Sequence, residues 1–396
     1  MPRDWVAYVG DFTFPWGQPG SRRVAGIAKS IARYRDVVIL STAIEKFELT
    51  TLEEDEEEGT IKYLNPRSRR EKIRSRSGRA INYFLLAGIE TVNWLTKSEK
   101  KPTHIIIYGG SFFFVFFIIR WAKRNGISVI ADVVEWYSPK QLKGGRFGPL
   151  YLSAVLTRNL LFPRCNGIIA ISRYLFEHFE KRVLHVARIP PTLSVTTAPT
   201  SNDNLSKRSL TLAYAGTPGK KDLIFPVLEA LRILQAEGLN VKLIIAGPTP
   251  FQLSHSLGIT LPDFVEAVGK VPQDKVGSLL ASADFSILFR NAERFTQAGF
   301  PTKFVESMAA GLPVICNISS DLDIYMQGEE VGLISPSADQ ADVTATLRRA
   351  ANLPEETKRR MRENARMLAL KEFDYKNYTE PLDVFLKALT SSTATK

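Results

Sequence analysis

The chain has 396 residues, of which 44% are hydrophobic and 23% charged, a composition typical of a soluble globular enzyme and sufficient for two domains with ample cores. The formal net charge of +11 belongs to the first half, because residues 1–190 contain 30 Lys and Arg against 18 Asp and Glu, and the remainder contains 22 against 23. No zinc finger, helix-turn-helix or RNA-binding motif accompanies this charge, so we expect an anionic membrane surface as its partner and no nucleic acid.

The cysteines and the apolar runs indicate the compartment. Cys165 and Cys316 lie in apolar stretches and are predicted to be buried free thiols in a reducing compartment. The chain begins directly on a strand pattern, without the pattern of a signal peptide. The longest apolar run, 105–119, is split by Gly109 and Gly110 into a strand and a helix, which makes it too broken to span a bilayer. We therefore expect a cytoplasmic protein that can bind peripherally to the inner face of the membrane.

Strands and helices are predicted to alternate along the first half. The predicted strands are 5–9, 37–41, 61–64, 105–108, 128–132 and 168–171, and the predicted helices are 22–34, 74–96 and 112–125. Such alternation favours a parallel, doubly wound sheet. The segment 192–209 is rich in Ser, Thr, Asn and Pro and predicts an interdomain linker.

The second half predicts another domain of the same kind. Its predicted strands are 210–215, 241–246, 264–268, 285–288 and 314–317, and its predicted helices are 225–237, 275–283, 303–310, 354–370 and 375–389. The predicted domains are therefore 1–190 and 210–374, joined by a linker at 191–209. Because open parallel sheets bind ligands outside the carboxyl ends of their strands, we expect each domain to offer its loops to a shared cleft.

The most informative motif lies at 300–315. Pro301 and Thr302 open a predicted helix, and Lys303 and Glu306 lie three residues apart on one face of it. A helix N-terminus with Thr302 and Lys303 suits a phosphate, and Glu306 can accept hydrogen bonds from a pair of sugar hydroxyls. The motif favours a nucleotide-diphosphate pocket over a plain buried helix–strand unit.

This motif resembles the donor site of retaining glycosyltransferases of the GT-B fold, family 4, the glycosyl transferases group 1. The resemblance implies an α/β GT-B protein, with two Rossmann-like αβα domains facing a central cleft and a C-terminal helix, 375–396, that returns to the first domain. It implies that Glu306 binds the nucleotide ribose and that Thr302 and Lys303 hold the diphosphate. It also implies that no metal and no cofactor are needed, with a nucleoside-diphosphate sugar as co-substrate.

A second candidate phosphate site follows the strand at 210–215. Gly216, Thr217 and Lys221 belong to a glycine loop whose N–H groups and ammonium charge can cradle phosphates. In the family a lysine of this loop contacts the donor diphosphate, and Lys221 is the best match; the alternative is a turn with solvated lysines. Arg290, at the end of a later strand, is a further candidate for the donor, although a surface arginine fits its pattern nearly as well.

The chain departs from the family at one position. The usual motif has two glutamates with seven residues between them; Glu306 is the second, and Ala298 replaces the first. The resemblance then suggests that the backbone of Gly299 and Phe300 holds the donor sugar. Because like charges repel, we expect a glutamate at position 298 to lower activity and weaken donor binding with the fold intact.

Candidate residues in the first domain are less specific. The loop with Gly17 and Gly20 resembles the family's glycine loop beside the acceptor and the donor sugar, and its aromatic residues suit stacking on a sugar or filling a core. Glu135 follows a strand and is predicted to orient the acceptor or the donor sugar, with Trp136 as a stacking platform. The alternative for Glu135 is a structural acid that caps a loop.

The resemblance implies a retaining, hexosyltransferase-type enzyme that moves a sugar from a nucleoside-diphosphate sugar to a glycan or lipid-linked glycan in surface polysaccharide assembly. The predicted catalytic residues are Glu135, Lys221 and Lys303. Two alternatives remain open. A sugar-nucleotide epimerase of the same fold would need acid–base carboxylates and histidines that are sparse here, and the alanine at position 298 is compatible with a non-catalytic sugar-nucleotide-binding subunit.

A basic segment suggests a membrane partner. It extends from Arg67 to Arg79 and is followed by the apolar stretch 81–94. Charge followed by an amphipathic helix predicts peripheral docking on anionic lipid, and a solvated charged face is the alternative.

Overall fold

The computed structural model describes residues 3–15, 18–53, 59–67, 75–195, 209–218 and 222–393. The chain divides into two compact units. Unit 1 is Met1–Ser194 together with Asp374–Lys396, and unit 2 is Val195–Phe373. The domain boundaries predicted from the sequence, at 190, 210 and 374, lie close to these limits, and most of the predicted linker lies outside the described residues.

Unit 1 is built on an eight-stranded sheet. Its strands are β1 (Trp5–Gly10), β2 (Asp36–Ser41), β3 (Thr50–Glu53), β4 (Ile61–Leu64), β5 (His104–Tyr108), β6 (Ser128–Val133), β7 (Gly167–Ala170) and β8 (His185–Arg188). They lie in the order β3-β4-β2-β1-β5-β6-β7-β8, with β3 antiparallel to β4 and the other pairs parallel. Because β2 and β5 flank β1 on opposite sides, the strand order reverses at β1, and open parallel sheets commonly bind ligands at such a point.

Some helices of unit 1 were predicted from the sequence and others were not. They are α1 (Pro19–Ala32), α2 (Arg76–Ile81), α3 (Ala87–Lys97), α4 (Phe112–Arg124), α5 (Pro149–Leu156) and α6 (Arg173–Glu180). A π-helical turn, Asn82–Leu86, joins α2 to α3, and a second, Thr157–Leu161, extends α5. The sequence analysis missed α5, α6, β3 and β8. Helix α5 is apolar on nearly all sides and so lacks an apolar stripe that would mark it as a helix. Strands β3 and β8 have only four residues each.

Unit 2 is built on a six-stranded parallel sheet in the order β11-β10-β9-β12-β13-β14. The strands are β9 (Ser209–Ala215), β10 (Asn240–Ala246), β11 (Val265–Gly269), β12 (Phe285–Leu288), β13 (Val314–Asn317) and β14 (Gly332–Ser335). The helices are α7 (Phe225–Ala236), α8 (Pro250–Leu257), α9 (Gln273–Ala281), α10 (Arg294–Ala298), α11 (Thr302–Ala309), α12 (Leu322–Tyr325), α13 (Gln340–Ala351) and α14 (Glu355–Leu368). The α/β class with parallel sheets is confirmed, but α8, α10, α12, α13 and β14 were not predicted.

The last helix, α15 (Thr379–Thr393), packs in unit 1 although it follows unit 2 in the chain. Leu382, Leu386 and Leu389 are buried in the unit 1 core, together with residues of β1 and α1. The Nε2 atom of His104 donates a hydrogen bond to the carbonyl oxygen of Leu386 at 2.9 Å, which ties the start of β5 to this helix.

Both cysteines are buried and free, as predicted. Burial raises the pKa of each thiol to about 12, so both stay protonated near neutral pH. The split of the apolar run 105–119 into a strand and a helix, β5 and α4, is also confirmed. Within the described residues, every helix is too short or too polar to reach across a bilayer.

The buried His104 predicts a pH-dependent stability. Burial lowers its pKa to about 4, whereas the pKa in the unfolded chain is about 6.5. Between these values the unfolded chain binds the proton more strongly, so this contribution is complete above about pH 6.5 and is lost as the pH falls towards 4. We expect unit 1 to lose about 2 kcal/mol of unfolding free energy between pH 7 and pH 5 through this group.

Urea unfolding at the two pH values tests this expectation. All five tryptophans lie at or before position 136, so their fluorescence reports on unit 1 alone. The variant His104→Asn should lose most of the difference between pH 7 and pH 5, whereas the exposed His255→Asn in unit 2 should not. An equal pH dependence in wild type and His104→Asn would refute the assignment.

Candidate functional site

The carboxyl end of the unit 2 sheet brings two of the predicted phosphate residues into contact. Gly216 directly follows β9 with φ +132°, and its N–H donates to the carbonyl oxygen of Ala246 at 2.7 Å. A Cβ atom at Gly216 would lie 2.7 Å from Cε of Lys303. The positive φ favours glycine at this position, and a side chain there would displace the end of Lys303 from the strand end. Gly247, after β10, plays a similar role that the sequence analysis missed, because a Cβ there would lie 2.9 Å from the carbonyl oxygen of Gly216.

Asp222 gathers three side chains at this edge. The Nζ atom of Lys303 donates to its Oδ2 at 2.8 Å, and Nε of Arg290 donates to its Oδ1 at 2.8 Å. The hydroxyl of Tyr214, on β9, donates to Oδ2 at 2.7 Å. Asp222 and Arg290 are buried, whereas the Lys303 side chain is 24% exposed. With two cations and one carboxylate, the cluster keeps one net positive charge.

The electrostatics of this cluster fix its protonation. Burial opposes ionisation of Asp222, but Lys303 and Arg290 hold the pKa of its carboxyl well below the usual range. Burial and the neighbouring carboxylate raise the pKa of Tyr214, so its phenol stays a donor. The Lys303 ammonium also lies 5.0 Å from the ring centroid of Tyr214. Lys303 is therefore held in place by a charge partner and by an aromatic ring.

These contacts change the interpretation of Arg290. The alternative of a surface arginine is wrong, because its side chain is buried against Asp222. Its backbone N–H donates to Oδ1 of Asn317 at 2.9 Å, and its carbonyl accepts from Nδ2 of Asn317 at 2.8 Å, so the end of β13 fixes its position. The sequence analysis assigned no role to Asp222. The available signal was an aspartate next to two lysines in a glycine loop.

Helix α11 presents the remaining donor candidates. Thr302 is its first residue, Lys303 follows, and Glu306 lies one turn further; all three side chains are partly exposed. Phe304, Val305 and Met308 are buried on the other side. The helix therefore orients its N-terminal N–H groups and its polar residues away from the core.

The side chain of Phe300 is not available to a ligand, which is compatible with the backbone role that the sequence analysis predicted for this residue. It is buried, with its ring centroid 5.8 Å from that of Tyr325 and 6.1 Å from that of Phe373. This aromatic cluster fixes the start of α11. Gly299, which precedes this helix, has an extended backbone. A role for the Gly299 backbone in holding a donor sugar stays a prediction.

The remaining residues of the predicted phosphate loop are only partly described. Thr217 is exposed next to Gly216. Lys221, which the sequence analysis placed in both the catalytic and the diphosphate sites, lies outside the described residues, and so does Gly17 of the first-domain loop.

Unit 1 contains a cavity of about 300 Å³ at the carboxyl ends of β5 and β6. Gly109 and Gly110 follow β5 and line it, and Asp132 and Glu135 line it from the end of β6. Asp132 also forms a buried ion pair with Arg23 of α1 at 2.8 Å. Glu135 is partly exposed at the same cavity.

Two other first-domain candidates have packing roles. One face of the Trp136 ring is covered by Arg158, whose guanidinium carbon lies 3.8 Å from the ring centroid. Tyr174 contacts the same indole edge-on. Because Arg158 covers one face of the ring, the sugar stacking that the sequence analysis predicted for Trp136 cannot occur on that face. A Cβ atom at Gly20 would lie 2.9 Å from the hydroxyl oxygen of Tyr108, so this glycine lets α1 approach β5. The loop residues Phe12 and Phe14 fill the unit 1 core.

Comparisons with known proteins agree with this geometry. Residues 201–368 match the sequence model of the family described as Glycosyl transferases group 1. The chain is 29% identical over 126 residues to the amylovoran biosynthesis glycosyltransferase AmsK of Erwinia amylovora, an alignment that covers 31% of this chain and 31% of that protein. The matched part thus spans about a third of this curated relative.

Two solved structures share the fold over nearly the whole chain. Sucrose-phosphate synthase from Thermosynechococcus elongatus superposes with a TM-score of 0.72 at 14% identity, covering 98% of this chain and 100% of that one. HepE from Anabaena, solved in complex with UDP and glucose, superposes with a TM-score of 0.68 at 13% identity and the same coverage. The GT-B fold is therefore confirmed for the chain, and residues 201–368, which hold the Gly216, Arg290 and α11 cluster, match the glycosyl transferases group 1 family.

Proposed function

We propose that the protein is a retaining, hexosyltransferase-type glycosyltransferase that moves a sugar from a nucleoside-diphosphate sugar to a glycan or lipid-linked glycan, in cytoplasmic steps of surface polysaccharide assembly. One observation carries the proposal: Lys303, at the start of α11, lies against Gly216 and shares Asp222 with Arg290. A diphosphate at this helix start would meet N–H groups and a net positive charge together. The name of AmsK supports polysaccharide assembly as the setting.

In the proposed reaction, the bond between the anomeric carbon of the donor and the diphosphate oxygen breaks. The acceptor hydroxyl oxygen bonds to the same face of that carbon, and its proton passes to a phosphate oxygen of the leaving nucleoside diphosphate. No protein nucleophile is needed, as the family resemblance implies. Because negative charge grows on the diphosphate as it leaves, Lys303, Arg290 and Lys221 would stabilise the transition state more than the ground state. Independence of a metal ion stays a prediction.

The acceptor is proposed to bind at the cavity of unit 1. Its volume of about 300 Å³ is within the range of small-molecule sites. Glu135 would orient a sugar hydroxyl there, because a carboxylate accepts hydrogen bonds from hydroxyl donors. Asp132 is committed to Arg23 and is assigned a structural role.

Calorimetric titration with UDP, GDP and ADP and with their glucose conjugates tests donor binding. UDP is the first probe, since HepE was solved with it. Release of free sugar and nucleoside diphosphate without an acceptor tests catalysis. Binding with hydrolysis supports a transferase, and binding without hydrolysis or transfer favours a non-catalytic subunit. Formation of an epimeric sugar nucleotide favours the epimerase, and the absence of binding by every probe contradicts the donor site.

Glu306→Gln should weaken binding of the nucleoside diphosphate by roughly 1.5–3 kcal/mol, because hydrogen bonds from the ribose hydroxyls to a carboxylate are charge-assisted. Calorimetric titration with the nucleoside diphosphate measures the difference. Glu293→Gln, at the start of α10, is a control with the same chemical change outside the proposed ribose contact. Unchanged affinity in Glu306→Gln would remove this residue from the site.

A further inference from the structure

Unit 1 exposes an apolar face on three neighbouring helical segments: α2 to α3 with their π-turn, α4, and α5 with its π-turn. The side chains of this apolar face are exposed although they are large and hydrophobic. They are Ile81, Leu85, Leu86, Ile89, Phe113, Phe116, Leu152, Leu156 and Leu160. Apart from Leu86, they recur every four residues on the first and third segments, so each segment has one apolar stripe along its helix. A grouped set of this kind differs from the singly scattered apolar residues of an ordinary surface.

The three segments are fixed to one another. The hydroxyl of Ser111, at the start of α4, donates to the carbonyl oxygen of Phe84 at 3.2 Å. The backbone N–H of Phe112 donates to the hydroxyl of Ser153 on α5 at 2.8 Å. A Cβ atom at Gly88 would lie 2.8 Å from Cα of Phe114, so α3 and α4 are in close contact. The stripes therefore belong to one surface with α4 in its middle.

The charge around α4 and α5 has a single sign, whereas α3 carries Glu90, which pairs with Arg67 at 3.5 Å. Residues 100–131 and 136–172 contain no Asp or Glu. Arg120, Lys123 and Arg124 are exposed at the end of α4, and Lys143 and Arg146 are exposed just before α5. Apolar side chains ringed by basic residues complement an anionic lipid surface, in which acyl chains lie beneath negatively charged headgroups.

We propose that this apolar face docks unit 1 on an anionic lipid bilayer. This apolar face contains part of the stretch 81–94 that the sequence analysis paired with the basic segment 67–79, and adds α4 and α5 to it. Most of the segment 67–79 lies outside the described residues, and its exposed residues Arg76 and Arg79 border the face. The docking itself does not depend on the proposed function.

The position of α5 connects this docking to the acceptor, and this step rests on the proposed function. Leu150 and Ala154 of α5 line the unit 1 cavity, whereas Leu152 and Leu156 belong to the apolar face. A single helix thickness, about 10 Å, thus separates the cavity from the docked surface. The glycan of a lipid-linked acceptor can then reach Glu135 while its lipid stays in the bilayer.

Cosedimentation of the full chain, without any sugar donor, tests the docking. The probes are vesicles of phosphatidylcholine mixed with phosphatidylglycerol and vesicles of phosphatidylcholine alone. We expect binding to the anionic vesicles, and the triple variant Arg120→Gln, Lys123→Gln, Arg124→Gln should partition onto them about a hundredfold less. The matched control replaces three exposed basic residues of unit 2, Arg232, Arg360 and Lys371, by Gln and should bind like the wild type.

A second pair of variants tests the apolar contribution. Replacing Leu85, Ile89, Phe116 and Leu156 by Gln should lower partitioning at least tenfold. The control replaces exposed apolar residues elsewhere, Leu184, Phe251, Met367 and Val384, by Gln and should change little. Tryptophan fluorescence and circular dichroism during urea unfolding verify that each variant folds.

Three results would overturn the proposal. The wild type could fail to bind either kind of vesicle, or the basic and apolar variants could bind as well as the wild type. The wild type could also be a dimer in solution that dissociates in the apolar variant. The last would assign the apolar face to a second copy of the chain. Donor hydrolysis in solution, which depends on unit 2 residues, should be unchanged in all four variants. If the wild type does not hydrolyse any donor, that result counts against the proposed function and not against docking.

Discussion

Lys303→Ala is expected to lower the rate of sugar transfer about 100- to 1000-fold, the usual effect of removing a group that stabilises transition-state charge. The site keeps its structure in this variant, because Asp222 retains hydrogen bonds from Arg290 and Tyr214. Binding of the bare nucleoside should change little, since the lost charge serves the diphosphate. Initial rates of transfer, or of donor hydrolysis, together with a calorimetric titration of the nucleoside, measure the two effects.

The control for this variant is Lys242→Ala. Lys242 forms a surface ion pair with Glu266 at 2.6 Å in the same unit, so its removal changes the net charge equally without touching the site. If Lys303→Ala keeps wild-type turnover, Lys303 has no role in stabilising the leaving group. If both variants lose activity alike, the effect is one of general charge.

Asp222 gives Lys303 a partner before any donor arrives. A diphosphate that enters the site would compete with this carboxylate for the Lys303 ammonium. The loss of the contact between Lys303 and Asp222 would therefore offset part of the free energy of diphosphate binding. In return, the ammonium and the Arg290 guanidinium are fixed in position when the diphosphate binds, and preorganised charge is more effective in catalysis. Asp222→Asn would remove the partner while leaving Lys303 and Arg290 next to each other as unscreened cations.

The start of α11 could be predicted from the sequence, but the contact between Lys303 and Asp222 could not. Pro301, Thr302 and the small residues that follow predict α11 from local pattern alone. The link from Lys303 to Asp222 joins residues 81 positions apart, and the link from Arg290 to Asp222 spans 68. No local periodicity encodes such pairs, because they depend on which strands lie side by side in the sheet.

The missed elements show the same limit at the level of the fold. Strands β12 and β13 were predicted because they are apolar runs between turn residues. Strand β14 has four residues, too few for alternation to be distinctive, and α5 is apolar almost all round. Helix α13 is different, since Val343, Leu347 and Ala350 form a regular buried stripe that the sequence does contain. The return of α15 to unit 1 was implied by family resemblance and by no pattern in its residues.

Ala298→Glu is expected to destabilise unit 2 by about 3–5 kcal/mol, the cost of an uncompensated buried charge. Ala298 is 0% exposed at the end of α10, which corrects the expectation that the family glutamate could be restored with the fold intact. The position occupied by the first glutamate in the usual family motif is part of the core in this chain. An extra carboxylate there would act on folding before it could act on the donor.

The control Ala298→Gln separates charge from volume, because glutamine has nearly the size of glutamate without its charge. Burial raises the pKa of a carboxyl, so the folded variant would bind a proton that the unfolded chain releases above about pH 4.3. The penalty of Ala298→Glu relative to Ala298→Gln should therefore grow as the pH rises above that value. Urea unfolding followed by circular dichroism at pH 5 and pH 8 measures it. A Glu variant as stable as the wild type and faster in transfer would instead mean that the natural chain is a weakened catalyst, and the non-catalytic binding subunit would become the better account of its function.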